Sequence, residues 1–336
     1  MADAAEQILK GSEIAGKSYK FDNSHDPAVP AQMWFQQSEE GEILFIVFYS
    51  MACRWSRCLG CNLPSKMSSM HVPFQDLMAQ VDHVFSSPEV LARRMAFRKV
   101  IVSNNGSVLD EKTFSSTALM YLLAKLNLHL PNLAILSIET RPEYVDLPEL
   151  EFLRRALAEG ATPTELEIAI GFEAFDDRIR NEVFNKGLTL DVFRRLVGDI
   201  APFGYRLKCY FMQKPVPGMT DEEAMADICR AIDFLDGIAR ESGIHINMHL
   251  NPTYAASGTR LGDAFTRKEY APPHLRDVAA AVLHAKGKRL TIYVGLSDEG
   301  LAVPGGSFIR PGDEPLIAAL EQFNRTQDHD VLAAWR

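Results

Sequence analysis

Three cysteines within nine residues, Cys53, Cys58 and Cys61, pose the first chemical question of this 336-residue chain. They stand in Ser50-Met-Ala-Cys53-Arg-Trp-Ser-Arg-Cys58-Leu-Gly-Cys61-Asn-Leu-Pro64, a Cys-x4-Cys-x2-Cys arrangement. Thiolate is the soft ligand that iron–sulfur clusters require, and a four-iron cluster held by only three cysteines keeps one iron open to an outside ligand. Arg54 and Arg57, between the ligands, can offset the negative charge of such a cluster or lower the thiol pKa values, and Gly60 permits close backbone approach. The competing readings are ordinary buried thiols and structural zinc. Zinc takes a closed set of four ligands, often as two pairs, and no second Cys-x2-Cys or Cys/His pair is apparent. The other two cysteines, Cys209 and Cys229, fall in a strand-like and a helix-like segment and read as small packed hydrophobes.

The cysteine segment follows the first of seven short runs rich in β-branched and aromatic residues, at 43–49, 99–103, 133–138, 166–172, 207–212, 244–250 and 290–294. Between them the spacing predicts helices over 113–126, 147–159, 176–184, 190–200, 220–242 and 274–285. Thr220-Asp-Glu-Glu223 has capping-box form, and Asp146 stands as an N-cap before Leu147-Pro148. Strand then helix, repeated, predicts an α/β fold with parallel strands: a partial or near-complete parallel (βα) TIM-type barrel. The expected organisation is an N-terminal wrapping segment over 1–40, a barrel core over 41–290 and a C-terminal extension over 291–336. Active sites of such barrels lie at the C-terminal ends of the strands, so the loops after each run carry the candidates.

Hydrophobic residues make up 47% and charged residues 24%, without the ~20 uninterrupted apolar residues that a membrane span needs. The N-terminus has neither the basic flank nor the apolar run of a secretory signal, which predicts a cytoplasmic protein. A net charge of −9 argues against a broad surface tracking long nucleic acid.

After the second run, Ser103-Asn104-Asn105-Gly106-Ser107 offers amide oxygens, hydroxyls and a glycine, although the same types make ordinary turns. Glu139 and Arg141 close the third run; a guanidinium suits a carboxylate, and a salt bridge between the two is the plain alternative. Glu173 follows the fourth run as an acceptor or a solvated acid, and Asn185-Lys186-Gly187 reads equally as a helix C-cap. In the fifth run, alternation does not decide whether Lys208 and Tyr210 or Cys209 and Phe211 face the barrel interior, and Gln213 and Lys214 lie at its exit. Asn247, His249 and Asn251 share one face of the sixth run, which predicts a polar-lined cavity with Asn251 at its mouth, or else a polar face turned to helices. His245 lies at the start of that run, away from the catalytic end. Pro304-Gly-Gly-Ser307 reads as a tight loop that either closes the base of the barrel or approaches substrate.

The cysteine loop resembles that of the radical S-adenosylmethionine (SAM) superfamily, and the resemblance extends over about residues 43–285. The segments Ser103-Asn-Asn-Gly-Ser-Val-Leu-Asp110, Ser137-Ile-Glu-Thr-Arg-Pro-Glu-Tyr144, Ile170-Gly-Phe-Glu-Ala-Phe-Asp-Asp177 with Asn185-Lys-Gly187, and Asn251-Pro-Thr253 look like those of the branch containing the elongator catalytic subunit. Within that branch they are most similar to the archaeosine-forming radical SAM enzymes. The chain departs from the superfamily's commonest spacing, Cys-x3-Cys-x2-Cys, by one extra residue in the first gap.

The resemblance implies a four-iron, four-sulfur cluster on Cys53, Cys58 and Cys61, with SAM chelating the open iron through its amino and carboxylate groups. Reductive cleavage of SAM would then give a 5′-deoxyadenosyl radical. The candidate SAM contacts are Ser103, Asn104, Asn105, Gly106 and Ser107 (amino group), Glu139, Arg141 (the carboxylate of SAM or a substrate acid), Glu173 (ribose) and Asn251. The resemblance also implies an external electron donor such as flavodoxin or ferredoxin, and a small biosynthetic intermediate or modified base as substrate, tRNA included. Two alternatives stand beside it: the same cluster transferring a 3-amino-3-carboxypropyl group from SAM, which the unusual spacing keeps open, and a zinc-stabilised, non-catalytic binding module.

Overall fold

All seven runs form strands in the computed structural model, which describes residues 3–335. Met1, Ala2 and Arg336, the outermost residues of the two predicted terminal segments, lie outside the described residues. A strand that the sequence reading does not contain comes first, β1 (Gln32–Ser38); β2 (Gly41–Val47), β3 (Phe97–Ser103), β4 (Ile135–Thr140), β5 (Glu165–Glu173), β6 (Arg206–Gln213), β7 (Ile246–Pro252) and β8 (Thr291–Val294) follow. Strand order in the sheet is chain order, from β1 to β8. The α/β class and the sequential order of a βα barrel wall are as the sequence predicts.

By internal contacts the chain forms two units, residues 1–11, 20–56 and 63–170 in the first and 12–19, 57–62 and 171–336 in the second. The first unit holds β1 to β4 and most of β5, with α1 (Ala4–Ile14, running on into the second), α2 (Phe74–Ser86), α3 (Pro88–Arg93), α4 (Ser116–His129) and α5 (Leu147–Leu157). Strands β2 to β5 pair in parallel, while β1 is antiparallel to β2 through a hairpin that places Trp34 opposite Phe45, their rings stacked at 4.2 Å. Asp146 caps α5 by accepting from the Glu149 N–H at 3.0 Å.

Two polar devices are buried in this unit. Lys99 on β3, 1% exposed at its side chain, ion-pairs with Glu40 at 2.7 Å and Glu167 at 2.8 Å. Burial disfavours its ammonium, but the two carboxylates prevail and hold its pKa above the ordinary lysine value. Gln80 on α2 is fully buried; its amide accepts from the Tyr49 N–H at 2.8 Å and donates to the Tyr49 carbonyl at 2.8 Å and the Pro27 carbonyl at 2.7 Å. That clamp fixes the chain just beyond β2, four residues before Cys53. Gln80→Leu strands these backbone groups without water, and is expected to lower stability by ~1–3 kcal/mol in a urea titration with the slope unchanged.

The second unit holds β6, β7 and β8, mutually parallel, with α6 (Leu190–Ile200), α7 (Asp221–Ser242), α8 (Arg260–Thr266), α9 (Leu275–His284) and α10 (Glu314–Thr326). The predicted capping box opens α7, with both Thr220–Glu223 bonds present. Phe172 and Phe211 stack at 4.7 Å and meet Phe193 of α6 and Phe234 of α7, so this aromatic face of the strands turns to the helices. The edge of β8 is sealed by side chains of and just beyond α10: Asn324 bonds both ways to Val294, and Gln327 both ways to Ile292. Such amides stand in for a missing strand and remove a pairing edge.

Candidate active site

In the first unit the chain leaves β2 as an extended segment. Met51 bridges Ser68, and Ala52 N–H donates to the Ser68 carbonyl at 2.8 Å. Cys53 follows, half-buried and free. In the gap that follows, Ser56 adopts a left-handed φ of 45° and its hydroxyl donates to the Cys53 carbonyl at 2.6 Å. Gly106 presses on the same cysteine: an added Cβ would sit 3.1 Å from Cys53 Cα and 3.2 Å from its Cβ. The strand-end loop and the first cysteine are therefore fitted to each other at a position only glycine fills comfortably. Gly106→Ala is expected to cost ~1–3 kcal/mol through overpacking and to reduce iron uptake, checked by thermal melts beside iron analysis.

The loop around Gly106 divides between structure and availability. Ser103 Oγ accepts from Asn105 N–H at 3.0 Å, and Asn105, at φ 53°, points its amide to Met67 Sδ at 3.3 Å. Asn104 is fully buried and donates to Ser50 Oγ at 3.1 Å and Thr113 Oγ1 at 3.3 Å. Its Oδ1 and the buried Ser107 Oγ have no partner among the described residues. Buried acceptors and hydroxyls are normally satisfied, so these two mark places for a ligand or water.

Arg54 forms a two-pronged pair with the buried Asp110, Nη2 to Oδ1 at 2.8 Å, and lies over the Tyr144 ring at 5.1 Å. Its charge is matched locally by that carboxylate, which weakens the predicted role in offsetting cluster charge. The Tyr144 phenol is pushed up to about 12, by burial first and the Asp110 charge second, so it stays protonated at neutral pH. Arg141, 5% exposed, stacks over Trp55 at 4.5 Å and ion-pairs with Glu143. The half-buried Glu139 joins its strand to the glycine loop, its carbonyl accepting from the Val108 N–H at 2.9 Å.

In the second unit Cys58 and Cys61, half-buried and likewise outside any disulfide, flank one turn closed by Cys61 N–H to the Cys58 carbonyl at 3.3 Å. The turn is moored on both sides. Leu59 N–H donates to the Phe184 carbonyl at 2.8 Å, and Asn62 donates to the carbonyls of Leu301 at 2.9 Å and Ser257 at 3.1 Å. Among the described residues no three Cys, His, Asp or Glu side chains form a group that could hold a single metal ion.

Glu173, at φ 73°, accepts from Lys186 Nζ at 2.8 Å, both packed over Gly171, where an added Cβ would lie 2.3 Å from each side chain. The Asn185-Lys186-Gly187 turn is thus tied to Glu173 and is more than a helix cap. Lys208 donates to Asn247 Oδ1 at 3.0 Å, Asn247 to Thr291 Oγ1 at 2.9 Å, and the His249 ring lies 4.8 Å from Tyr210 and 4.9 Å from Tyr293. This resolves the alternation: Lys208 and Tyr210 share the polar face with Asn247, His249 and Asn251, while Phe211 turns to the helices. Asn251 abuts Gly295, where a Cβ would fall 2.2 Å from its Oδ1, a contact without signal in the sequence. The Pro304–Ser307 loop packs on the segment after β7, not on a strand base: Ala255 N–H donates to the Gly306 carbonyl at 2.8 Å, and Gly306 has no room for a side chain against Ala255. Cys209 is fully buried in β6, and burial, with Asp233 adding, pushes the Cys229 thiol up, so both fit the packing role predicted for them.

No family model matches the chain. Two proteins named archaeosine synthase subunit beta align along most of their length. That of Methanosarcina acetivorans is 27% identical over 264 residues, spanning 76% of this chain and 72% of its own. That of Thermococcus kodakarensis is 24% identical over 302 residues, 86% of each. This chain resembles archaeosine synthase subunit beta. The resemblance to archaeosine synthase subunit beta agrees with the one carried by the motifs after β2 to β5. An uncharacterized protein of Methanocaldococcus jannaschii is similar too, 24% identical over 320 residues, 91% of this chain and 84% of that one. Among solved structures, Methanocaldococcus infernus Elp3 superposes with a TM-score of 0.48 at 14% identity, covering 67% of this chain and 53% of that chain. Streptococcus suis SuiB bound to S-adenosylmethionine gives 0.47 at 14%, covering 80% and 54%. The chain spans about half the length of these two.

Proposed function

We propose that the chain is a radical SAM enzyme, with residues 41–290 as its catalytic core, in which Cys53, Cys58 and Cys61 hold a four-iron, four-sulfur cluster. The observation that carries this reading is that three half-buried cysteines, none of them in a disulfide, stand on the loop after the first parallel strand. The donor set fits the group: three soft ligands, a glycine pressed on the first and a moored turn between the other two. When bound, the cluster would supply one electron to SAM and so a 5′-deoxyadenosyl radical.

The chain's own residues bind, orient and exclude water. Asn104 Oδ1 and Ser107 Oγ, unpartnered and buried, suit the ammonium of SAM, with Ser103, Asn105 and Gly106 shaping the loop. Arg141, stacked on Trp55 and paired with Glu143 just beyond the strand that carries Glu139, suits a carboxylate through its planar guanidinium. Glu173 keeps a second oxygen as acceptor for ribose hydroxyls, and Asn251 lines the polar face of β7. The substrate is a small biosynthetic intermediate or a modified base. The name borne by the relatives favours the base, and the net charge of −9 speaks against long nucleic acid. Flavodoxin or ferredoxin would deliver the electron. No helix among the described residues is long and apolar enough to cross a membrane, and we place the protein in the cytoplasm.

Anaerobic turnover of the reconstituted protein with SAM and dithionite tests the reading. 5′-Deoxyadenosine is the expected product; 5′-methylthioadenosine would replace it with 3-amino-3-carboxypropyl transfer. A protein that binds zinc and releases neither product is a binding module.

A further inference from the structure

A cation from outside the motif is bonded to the turn between the paired cysteines. Lys17 reaches the Cys58–Cys61 turn across 41 residues of sequence, its ammonium donating to the carbonyls of both Cys58 and Cys61, with the Leu59 carbonyl at 3.4 Å. The strap that delivers it, residues 12–19, is fastened at several points of the same unit. Ser18 N–H donates to the Gly258 carbonyl at 3.0 Å, and Arg260 Nη2 to the Ile14 carbonyl at 3.2 Å. Gly258, at φ 68°, has the Tyr19 backbone nitrogen 2.8 Å from where a Cβ would stand, so the strap lies as close as glycine allows.

We infer that Lys17 is a positioning residue that fixes the two-cysteine turn and sets the potential of the cluster bound there. The inference rests on the cluster assignment proposed above. Three thiolates make the cluster site net negative, and each added electron increases that charge; an ammonium fixed on the carbonyls of two ligand cysteines lowers the cost of reduction. By accepting from Lys17, the two carbonyls also hold the Cys58 and Cys61 backbone in one conformation, the work of a group outside the ligand sphere that orients ligands.

The test compares wild type, Lys17→Met and Lys17→Arg after anaerobic reconstitution, by redox titration followed by electron paramagnetic resonance and by iron release to a chelator. Lys17→Met is expected to shift the midpoint to more negative potential and to speed iron release by ~10–100-fold, the usual effect of losing an outer-shell partner. Lys17→Arg, keeping the charge, should hold the potential near wild type even where the geometry of release is altered. Equal midpoints in wild type and Lys17→Met would overturn the inference, since a merely structural strap moves stability and not potential. A wild-type protein that takes up no four-iron cluster would instead overturn the reading on which the inference stands.

Discussion

Replacing any one of Cys53, Cys58 or Cys61 with alanine is expected to take the reconstituted protein from about four irons per chain to nearly none, with loss of SAM cleavage. Two remaining thiolates leave a second iron corner open to solvent, and an open-cornered cluster cannot be held by two ligands when its third already serves no spare role. The fold should survive. All three thiols are half-buried; the Cys53 carbonyl is held by Ser56, and the Cys58–Cys61 turn by its own Cys61–Cys58 bond and by Leu59 N–H on the Phe184 carbonyl, all of which alanine keeps. Melting should therefore change by no more than ~1 kcal/mol equivalent, in the range of substitutions that break no buried contact. Cys209→Ala is the internal control: fully buried in β6, it should lose stability while iron content stays at the wild-type level.

Arg180→Ala is expected to lower stability by ~3–5 kcal/mol in chemical denaturation, because three carbonyls lose their donor at ~1–3 kcal/mol each. Arg180 is fully buried, and its guanidinium donates to the carbonyls of Leu188 at 2.6 Å, Ala174 at 3.0 Å and Phe175 at 2.8 Å, besides pairing with Asp177. It also lies over the Phe172 ring at 4.9 Å. Without it three carbonyls of the loop carrying Glu173 and Lys186 lose their donor at once. Lysine cannot replace it, because one ammonium lacks the planar fork that reaches all of them. Asp227 braces the same loop from α7, accepting from the Phe175 and Asp176 N–H groups at 2.8 Å each, so Asp227→Asn should show a smaller version of the same defect.

Parallel strands were legible because strands buried on both faces are continuous β-branched and aromatic runs, and each such run here became a strand. β1 was not, since Gln-Met-Trp-Phe-Gln-Gln-Ser carries only three apolar residues and is a strand chiefly through its hairpin with β2. α2 was hidden for a related reason: Gln80, a polar residue, sits in the middle of its buried stripe. At the site, the cysteines and the strand-end loops could be found because spacing and order are local properties. The partners of those residues are set by distance in sequence. Asp110 claims the charge of Arg54, Lys17 reaches the cysteine turn from 41 residues away, and Arg180, inside the helix predicted over 176–184, is fully buried with its guanidinium on three carbonyls. Gly295 gives no hint that it makes room for Asn251.

The most direct test of the central assignment is electron paramagnetic resonance of the dithionite-reduced, anaerobically reconstituted protein with and without SAM. The account predicts a reduced four-iron cluster signal whose shape changes when SAM is added and which is absent from Cys53→Ala. A protein with one bound zinc and no signal, or a cluster signal indifferent to SAM, would contradict it.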